Sequence, residues 1–367
     1  MWDGADPVNY MDGTAHRNPS PHRPLSISGK QASIVMAFIS HFRTQILSWW
    51  QDTPLPAGAA ASFHSWHEFD EVGNRWRAVE KGRENSEMTA SPNDGDREGA
   101  TDWSYSLVTW NVDYSSPFSG QRLSAILAHT LSLSPAIDII FLQELSREAF
   151  LLLLDEPEIR QGWFLSDADG ILPAGQSFTT ITLLSKTRFQ SPNPGPVWRV
   201  KYPSRFERDA LCCDVFASPA PGRPGIRLRL VNVHLDSLPI QPSLRPQQVS
   251  IAAALLRSAG RGVVAGDFNP VLPADDTLVQ DNGLIDAWVE LRPGDSGLTW
   301  GVDGKEPFPP NRMDKVALLG LRVQHVEILS PGYIPRTEHV GELNDDDMVA
   351  WSDHLGLKCS FKLVALE

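Results

Sequence analysis

From Tyr105 onward the sequence repeats one pattern: a short apolar or β-branched run, then a turn or a helical stretch, with polar residues closing many of the runs. The runs are YSLVTWNV (105–112), IDIIFLQEL (137–145), TTITLLSK (179–186), ALCCDVFAS (210–218), IRLRLVNVHLD (226–236), GVVAGDFN (262–269), RMDKVALLG (312–320), VQHVEILS (323–330) and LGLKCSFKLV (355–364). Between some of them lie stretches of helical periodicity, SGQRLSAILAHTLS and RPQQVSIAAALLRSAG. Many strands with helices between only some of them predict an α/β sandwich. At 367 residues, there is room for one large domain plus an extension, or for two average domains.

The polar residues at the strand ends are of a narrow kind. Asn111 closes TWN, Glu144 closes LQE, and His234 closes NVH. Asp267 and Asn269 end GDFN, Asp353 and His354 end SDH, and Asp314 opens the run MDKV. Asp and Asn start turns by bonding the backbone ahead of them, so any one of these has a purely structural explanation. As a set they gather carboxylates, amides and imidazoles at strand termini, where α/β folds build their sites.

Charge and cysteine content narrow the setting. The net charge of −13 argues against broad electrostatic binding of nucleic acid, which leaves a basic stripe. It does not exclude a nucleic-acid enzyme, since a metal site collects carboxylates. Three cysteines, two of them adjacent at 212 and 213, give no disulfide framework and suit a reducing, intracellular compartment, nucleus or cytoplasm. On a strand, Cys212 and Cys213 would point to opposite faces.

Residues 1–100 read as an N-terminal extension: an unstructured start, an amphipathic helix at about 33–50, a hairpin at about 63–80 and a polar linker at 82–100. The helix is interrupted by His41, Arg43 and Gln45, a poor membrane span. The opening MWDGADPVNYMDG is polar and acidic, unlike a signal peptide. The catalytic domain is expected at 101–367.

The motifs TWN, QE, NVHLDS, GDFN, RMDKV and SDH, in this order, resemble those of the endonuclease/exonuclease/phosphatase superfamily. Within it, VTWNVD, FLQEL, GLIDAWVEL followed by GLTWG, and WSDHLGLKC are most similar to the tyrosyl-DNA phosphodiesterase 2 enzymes. The resemblance implies a DNase I-like four-layer α/β sandwich, two packed mixed β-sheets flanked by helices. It implies a phosphodiesterase dependent on Mg²⁺ or Mn²⁺ that acts on DNA bearing a 5′-phosphotyrosyl end, a topoisomerase II adduct. By the same resemblance Glu144 and Asp353 belong to the metal, Asp267 and Asn269 to the attacking water, and His234 and His354 to the phosphate. Asp314 would orient His354, and Asn111 would hold a neighbouring ligand or a phosphate oxygen. Arg208, with Arg205 as a nearby alternative, would pair with Trp300 to seat the phenolate by a cation–π contact.

Two departures weaken the substrate assignment. PVLPADD follows GDFN where the tyrosyl-DNA enzymes carry a basic residue, and the acidic GELNDDDMV precedes WSDH. Another nuclease, a phosphatase or a sphingomyelinase-type esterase on the same scaffold is the enzyme alternative. Inositol-phosphate enzymes carry a basic aromatic signature that is missing here. A catalytically dead scaffold predicts lost ligands, and none is lost.

Overall fold

The computed structural model describes residues 53–79, 104–189, 194–217, 226–336 and 347–364. The chain divides into Met1–Trp50 and Gln51–Glu367. The helix expected at 33–50 and the linker at 82–100 lie outside the described residues, as does most of the acidic segment 341–349.

Seventeen strands are described. Seven form one sheet in the order β1 (Ala61–His64), β8 (Pro194–Lys201), β9 (Asp209–Ala217), β10 (Ile226–His234), β11 (Gly262–Asp267), β13 (Asp314–Leu319) and β12 (Ile285–Asp286). Eight form the other: β14 (Leu321–Leu329), β17 (Gly356–Leu363), β4 (Ser104–Asn111), β5 (Ile139–Ser146), β7 (Phe178–Ser185), β6 (Trp163–Leu165), β2 (His67–Asp70) and β3 (Arg75–Ala78). The short strands β15 (Tyr333–Pro335) and β16 (Met348–Ala350) pair separately.

Each sheet contains one parallel pair, β4 with β5 and β10 with β11. A parallel pair needs a crossover, and helices fit because they cover the outer face. The helices Ser119–Ser132 and Arg245–Ala259 make these crossovers. Leu123, Ile126 and Leu127 of the first pack with Val108, Trp110 and Leu142. Val249, Ala252 and Leu256 of the second pack with Val231, Val233 and Val264. Between the sheets, Leu107, Phe141, Leu230, Val263, Ala265 and Phe361 form the central core. Helix, sheet, sheet and helix therefore stack as four layers, as the motifs imply. The adjacent cysteines divide as strand alternation requires, Cys213 into the central core and Cys212 into the helix-side cluster.

The N-terminal boundary is earlier than residue 101. β1 pairs with β8 at the edge of one sheet, and β2 pairs with β6 at the edge of the other. The hairpin is real, built from β2 and β3 around the turn at 71–74, with Asn74 at φ +47°. It belongs to the sandwich because Trp66 and Phe69 are buried in it. Sequence alternation reveals a hairpin but not which sheet edge it extends.

Candidate active site

Strand register explains why the polar residues converge. Side chains two apart on a strand share a face. Along β4, Leu107 is followed on the central face by Thr109 and Asn111; along β10, Leu230 is followed by Asn232 and His234; along β11, Ala265 is followed by Asp267. The interior thus grades from hydrocarbon, through an amide layer, to ionisable groups. In the amide layer, Gln143 Nε2 donates to Asn232 Oδ1 at 2.8 Å and to Thr109 Oγ1 at 3.0 Å. This layer joins the two sheets and leaves no buried amide unpaired, which would be costly.

Above it, His234 pairs with Asp267 in the β10–β11 register, and Asp267 with Asp314 in the β11–β13 register. Asn111 and Glu144 face them from the other sheet. Asn111 Nδ2 donates to Glu144 Oε1 and Asp267 Oδ2, both at 3.2 Å, and so spans the gap. Asn269 donates to Asp267 twice, from its backbone N–H at 2.9 Å and from Nδ2 at 3.0 Å.

Two local devices make this possible. Pairing of β5 with β7 slips by one residue between Leu142 and Leu145, and Glu144 has φ +58°. Leu142 and Leu145 consequently both reach the helix-side cluster although they are three apart, and the extra residue releases Glu144 toward the site, as bulges do. Ser146 then caps the helix Arg147–Asp155 by accepting the Ala149 N–H. At Gly266, φ is +139° and a Cβ would lie 1.9 Å from the Val233 carbonyl oxygen. Only glycine lets β11 approach β10 this closely just before Asp267.

His354 arrives from the loop before β17. Its Nδ1 lies 2.8 Å from Asp314 Oδ2, and Asp314 is fully buried. Ser352 Oγ accepts the His354 N–H at 3.0 Å and donates to the Asn111 carbonyl at 2.6 Å, which ties this loop to β4. Burial alone would strip the imidazole of its proton, but the carboxylates of Asp314, Asp353 and Asp267 outweigh it and raise its pKa well above the usual value. His234 goes the other way. Burial, reinforced by Arg208 and His354, lowers its pKa far below the usual value and keeps it neutral. Burial pushes the Asp267 carboxyl up to about 7, against the pull of His354 and the Asn269 N–H. Burial also raises Glu144, partly offset by His354 and by bonds from Asn111 and Tyr114.

The site therefore holds one charged and one neutral imidazole together with two elevated carboxyls. Ligand atoms of Glu144, His234 and Asp267 lie within 4.8 Å of one another. Neither ring nitrogen of buried His234 has a hydrogen-bond partner among the described residues. An oxygen-rich set with an unpartnered buried nitrogen fits a divalent cation. This group differs from the expected metal pair: Glu144 is in it, whereas Asp353 is not. Asp353 Oδ2 accepts the Trp300 Nε1–H at 2.9 Å.

The expected pairing of Arg208 with Trp300 is replaced by another. The Arg208 guanidinium lies 4.8 Å over the Phe178 ring and 5.6 Å over Phe206. Phe178 also stacks on His234 at 5.5 Å and meets Tyr114 at 4.6 Å. Trp300 instead bridges to Asn311 and His354. Arg205 is exposed and directs Nη2 to the Pro242 carbonyl at 3.3 Å. A groove beside His234 is lined by Phe178, Thr179, Arg199, Lys201 and Arg208. Sequence reasoning missed Phe178 and Tyr114 because nothing in SFTT or VDYS separates a wall residue from a core one. It also missed Asn232, whose two-residue spacing from His234 was a usable signal, and Gln143, which directly precedes Glu144.

Residues 108–354 match the model of the Endonuclease/Exonuclease/phosphatase family. The fold is similar to that of D. rerio TDP2 complexed with single strand DNA product, at 22% identity over 71% of this chain and 99% of that one, TM-score 0.54. It is also similar to TDP2 from Caenorhabditis elegans, at 20% identity over 71% and 74%, TM-score 0.51. An endonuclease/exonuclease/phosphatase family protein from Bacteroides thetaiotaomicron shares 15% identity over 72% and 100%, TM-score 0.50. No curated protein matches the chain. Among the described residues no helix is long and apolar enough to cross a membrane.

Proposed function

This chain belongs to the endonuclease/exonuclease/phosphatase family, whose members are metal-dependent hydrolases of phosphodiester bonds, and from that premise we propose that it hydrolyses 5′-phosphotyrosyl–DNA linkages left by topoisomerase II. The observation that carries this reading is Arg208 lying on Phe178 beside His234. A cation on an aromatic face suits a flat phenolate next to the phosphate, and such contacts are worth about 0.5–2 kcal/mol. The TDP2 of D. rerio with its single strand DNA product supports DNA as the other half of the substrate.

Glu144, His234 and Asp267 would hold a divalent cation, Mg²⁺ or Mn²⁺. When bound, it supplies positive charge to the phosphate oxygens as negative charge develops there. Asp267, held by Asn111 and Asn269, takes the proton of the attacking water. His354, kept cationic by Asp314, donates to a non-bridging oxygen where charge grows. The bond from phosphorus to the tyrosyl oxygen then breaks, leaving a 5′-phosphate on the DNA. An aryl oxygen leaves readily, so no strong general acid is required. Three free, buried cysteines support an intracellular setting, nuclear or cytoplasmic.

A second reading, a general nuclease of the same fold, is favoured by one observation: the Trp300 N–H is bound to Asp353, and Trp300 is not a ring partner of Arg208. A substrate panel separates the two. With Mg²⁺ or Mn²⁺, a 5′-phosphotyrosyl oligonucleotide should yield 5′-phosphate DNA, and EDTA should stop the reaction. Abasic duplex, single-stranded RNA, sphingomyelin and inositol phosphates should react far more slowly. Equal rates on unmodified DNA or RNA would refute the first reading and support the second.

A further inference from the structure

Arg208 ends a short irregular segment, residues 202–208, between β8 and β9, which the Tyr202 N–H closes by donating to the Arg208 carbonyl at 3.2 Å. Inside that closure one hydroxyl shapes the turn. Ser204 Oγ accepts the N–H of Phe206 and the N–H of Arg208, each at 3.0 Å. These two bonds flank Glu207, whose φ of +58° is left-handed. A non-glycine residue stays in that region only where its surroundings over-determine it, and the paired N–H bonds supply the constraint.

The hydroxyl is itself held. Ser204 Oγ donates to Asp236 Oδ1 at 2.5 Å, and Asp236 Oδ2 accepts the Arg205 N–H at 3.0 Å. Asp236 is locked in turn by Gln248, which donates Nε2 to Asp236 Oδ1 at 2.8 Å and accepts the Asp236 N–H on Oε1 at 3.0 Å. Gln248 stands on the crossover helix Arg245–Ala259, so the chain of bonds ends on a rigid element. Asp236 lies two residues beyond His234 in NVHLDS, and the next residue, Ser237, accepts from Arg208 Nη2 at 3.2 Å. A single stretch therefore supplies the site histidine, the carboxylate that shapes the arginine's loop and the hydroxyl that holds its head.

We infer that Ser204 and Asp236 are positioning residues that set Arg208 on Phe178 beside the phosphate, and so govern recognition of the leaving aryl group. The inference rests on Arg208 being a substrate-binding residue, as proposed above. A charge-assisted bond from hydroxyl to carboxylate is stronger than a neutral one. It polarises the hydroxyl oxygen as an acceptor for both N–H groups, cooperatively tightening the turn.

A double-mutant cycle tests it, using the full chain, Mg²⁺ and thymidine 5′-p-nitrophenyl phosphate, an activated diester that does not require the tyrosyl-DNA reading. Ser204→Ala should lower kcat/KM about five- to tenfold in the wild-type background and by less than about twofold in the Arg208→Ala background, the signature of residues acting as a unit. Ser204→Thr keeps the hydroxyl and should recover activity to within about twofold, which a loss of packing would not. An equal loss in both backgrounds, or no loss in Ser204→Ala, overturns the inference. The Arg208 Nε–H resonance gives a reading independent of turnover. It should be sharp in wild type and Ser204→Thr and broadened or shifted in Ser204→Ala and Asp236→Asn. If Arg208→Ala is silent in turnover, the substrate role of Arg208 fails and the resonance alone decides positioning: an unchanged signal in Ser204→Ala refutes it.

Discussion

Asp314→Asn isolates a charge without changing a shape. Asp314 is fully buried, and its Oδ2 lies 2.8 Å from His354 Nδ1. The replacing amide oxygen can still accept the Nδ1–H, so the imidazole keeps its orientation. What disappears is the foremost of the carboxylates that together outweigh burial and keep His354 charged. Removing one member of a buried ion pair costs about 3–5 kcal/mol, and the cost here should sit near about 3 because the imidazole can shed its proton. Catalysis should suffer by about 10²–10³ in kcat, the loss found when one donor to a developing oxyanion is removed. The pH dependence of stability should weaken. In the wild type the raised His354 pKa contributes stability that is complete below about 6.5, the unfolded value, and is lost as pH rises through the folded value. In the variant only Asp353 and Asp267 still oppose burial, the folded pKa moves down toward the unfolded one, and the stability lost with rising pH shrinks. The assay is kcat on thymidine 5′-p-nitrophenyl phosphate with thermal unfolding between pH 5 and 9. A folded variant with kcat within about threefold of wild type, or with an undiminished wild-type pH trend in Tm, refutes the assignment of His354 as a charged donor.

Glu144→Gln should reduce turnover at least about 10²-fold and abolish the rise in Tm on adding Mg²⁺ or Mn²⁺; a preserved metal-induced shift would remove Glu144 from the cation group. Asp267→Asn should lower kcat by about 10² or more while substrate still binds. In EDTA it should also raise Tm at pH 8 but not at pH 4: a carboxyl raised to about 7 contributes stability below its unfolded value that is lost as pH rises through 7, so the ionised acid burdens only the alkaline side. A chain beginning at Gln51 retains every described residue and should keep its Tm and kcat. One beginning at Gly99 loses β1 to β3 and exposes the partners of Trp66 and Phe69, at about 1.5–3 kcal/mol per buried side chain. Equal Tm for the two truncations would show that the edge strands add nothing.

The sequence made most of the site legible because strand parity carries it. Leu107, Thr109 and Asn111, or Leu230, Asn232 and His234, are read directly from alternation: the face that begins in the core ends in the site. Both crossover helices were equally plain from their period, and they lie at Ser119–Ser132 and Arg245–Ala259. Where parity breaks, or a residue comes from a loop, pattern reading fails for definite reasons. Glu144 was found only through its motif, since regular alternation would have turned it toward the helices; the slip between Leu142 and Leu145 reverses it. β8 went unrecognised because Pro194 and Pro196 interrupt its run, although both sit near a register slip where a ladder tolerates proline. PVLPADD looked like a missing basic contact. Its Asp275 is instead buried against Arg245 at 2.8 Å, so the stretch anchors the crossover helix.

Arg208 and Trp300 show where motif matching stops. Both residues occupy the places their motifs assign, yet a cation–π pair depends on two loops meeting, and loop geometry is set by hydrogen bonds that have no period. Ser204 and Asp236 direct Arg208 toward Phe178, while Asp353 claims the indole N–H of Trp300. Phosphate chemistry is thus encoded in strands, where spacing alone predicts contact. On the proposed reading, leaving-group recognition rests instead on polar side chains that fold the loops. Substitutions at Ser204 or Asp236 should therefore change discrimination between aryl and alkyl diesters, whereas those at Asn111 or Asp267 should slow both alike. Parallel losses on the two substrate classes in Ser204→Ala would place recognition in the strands after all.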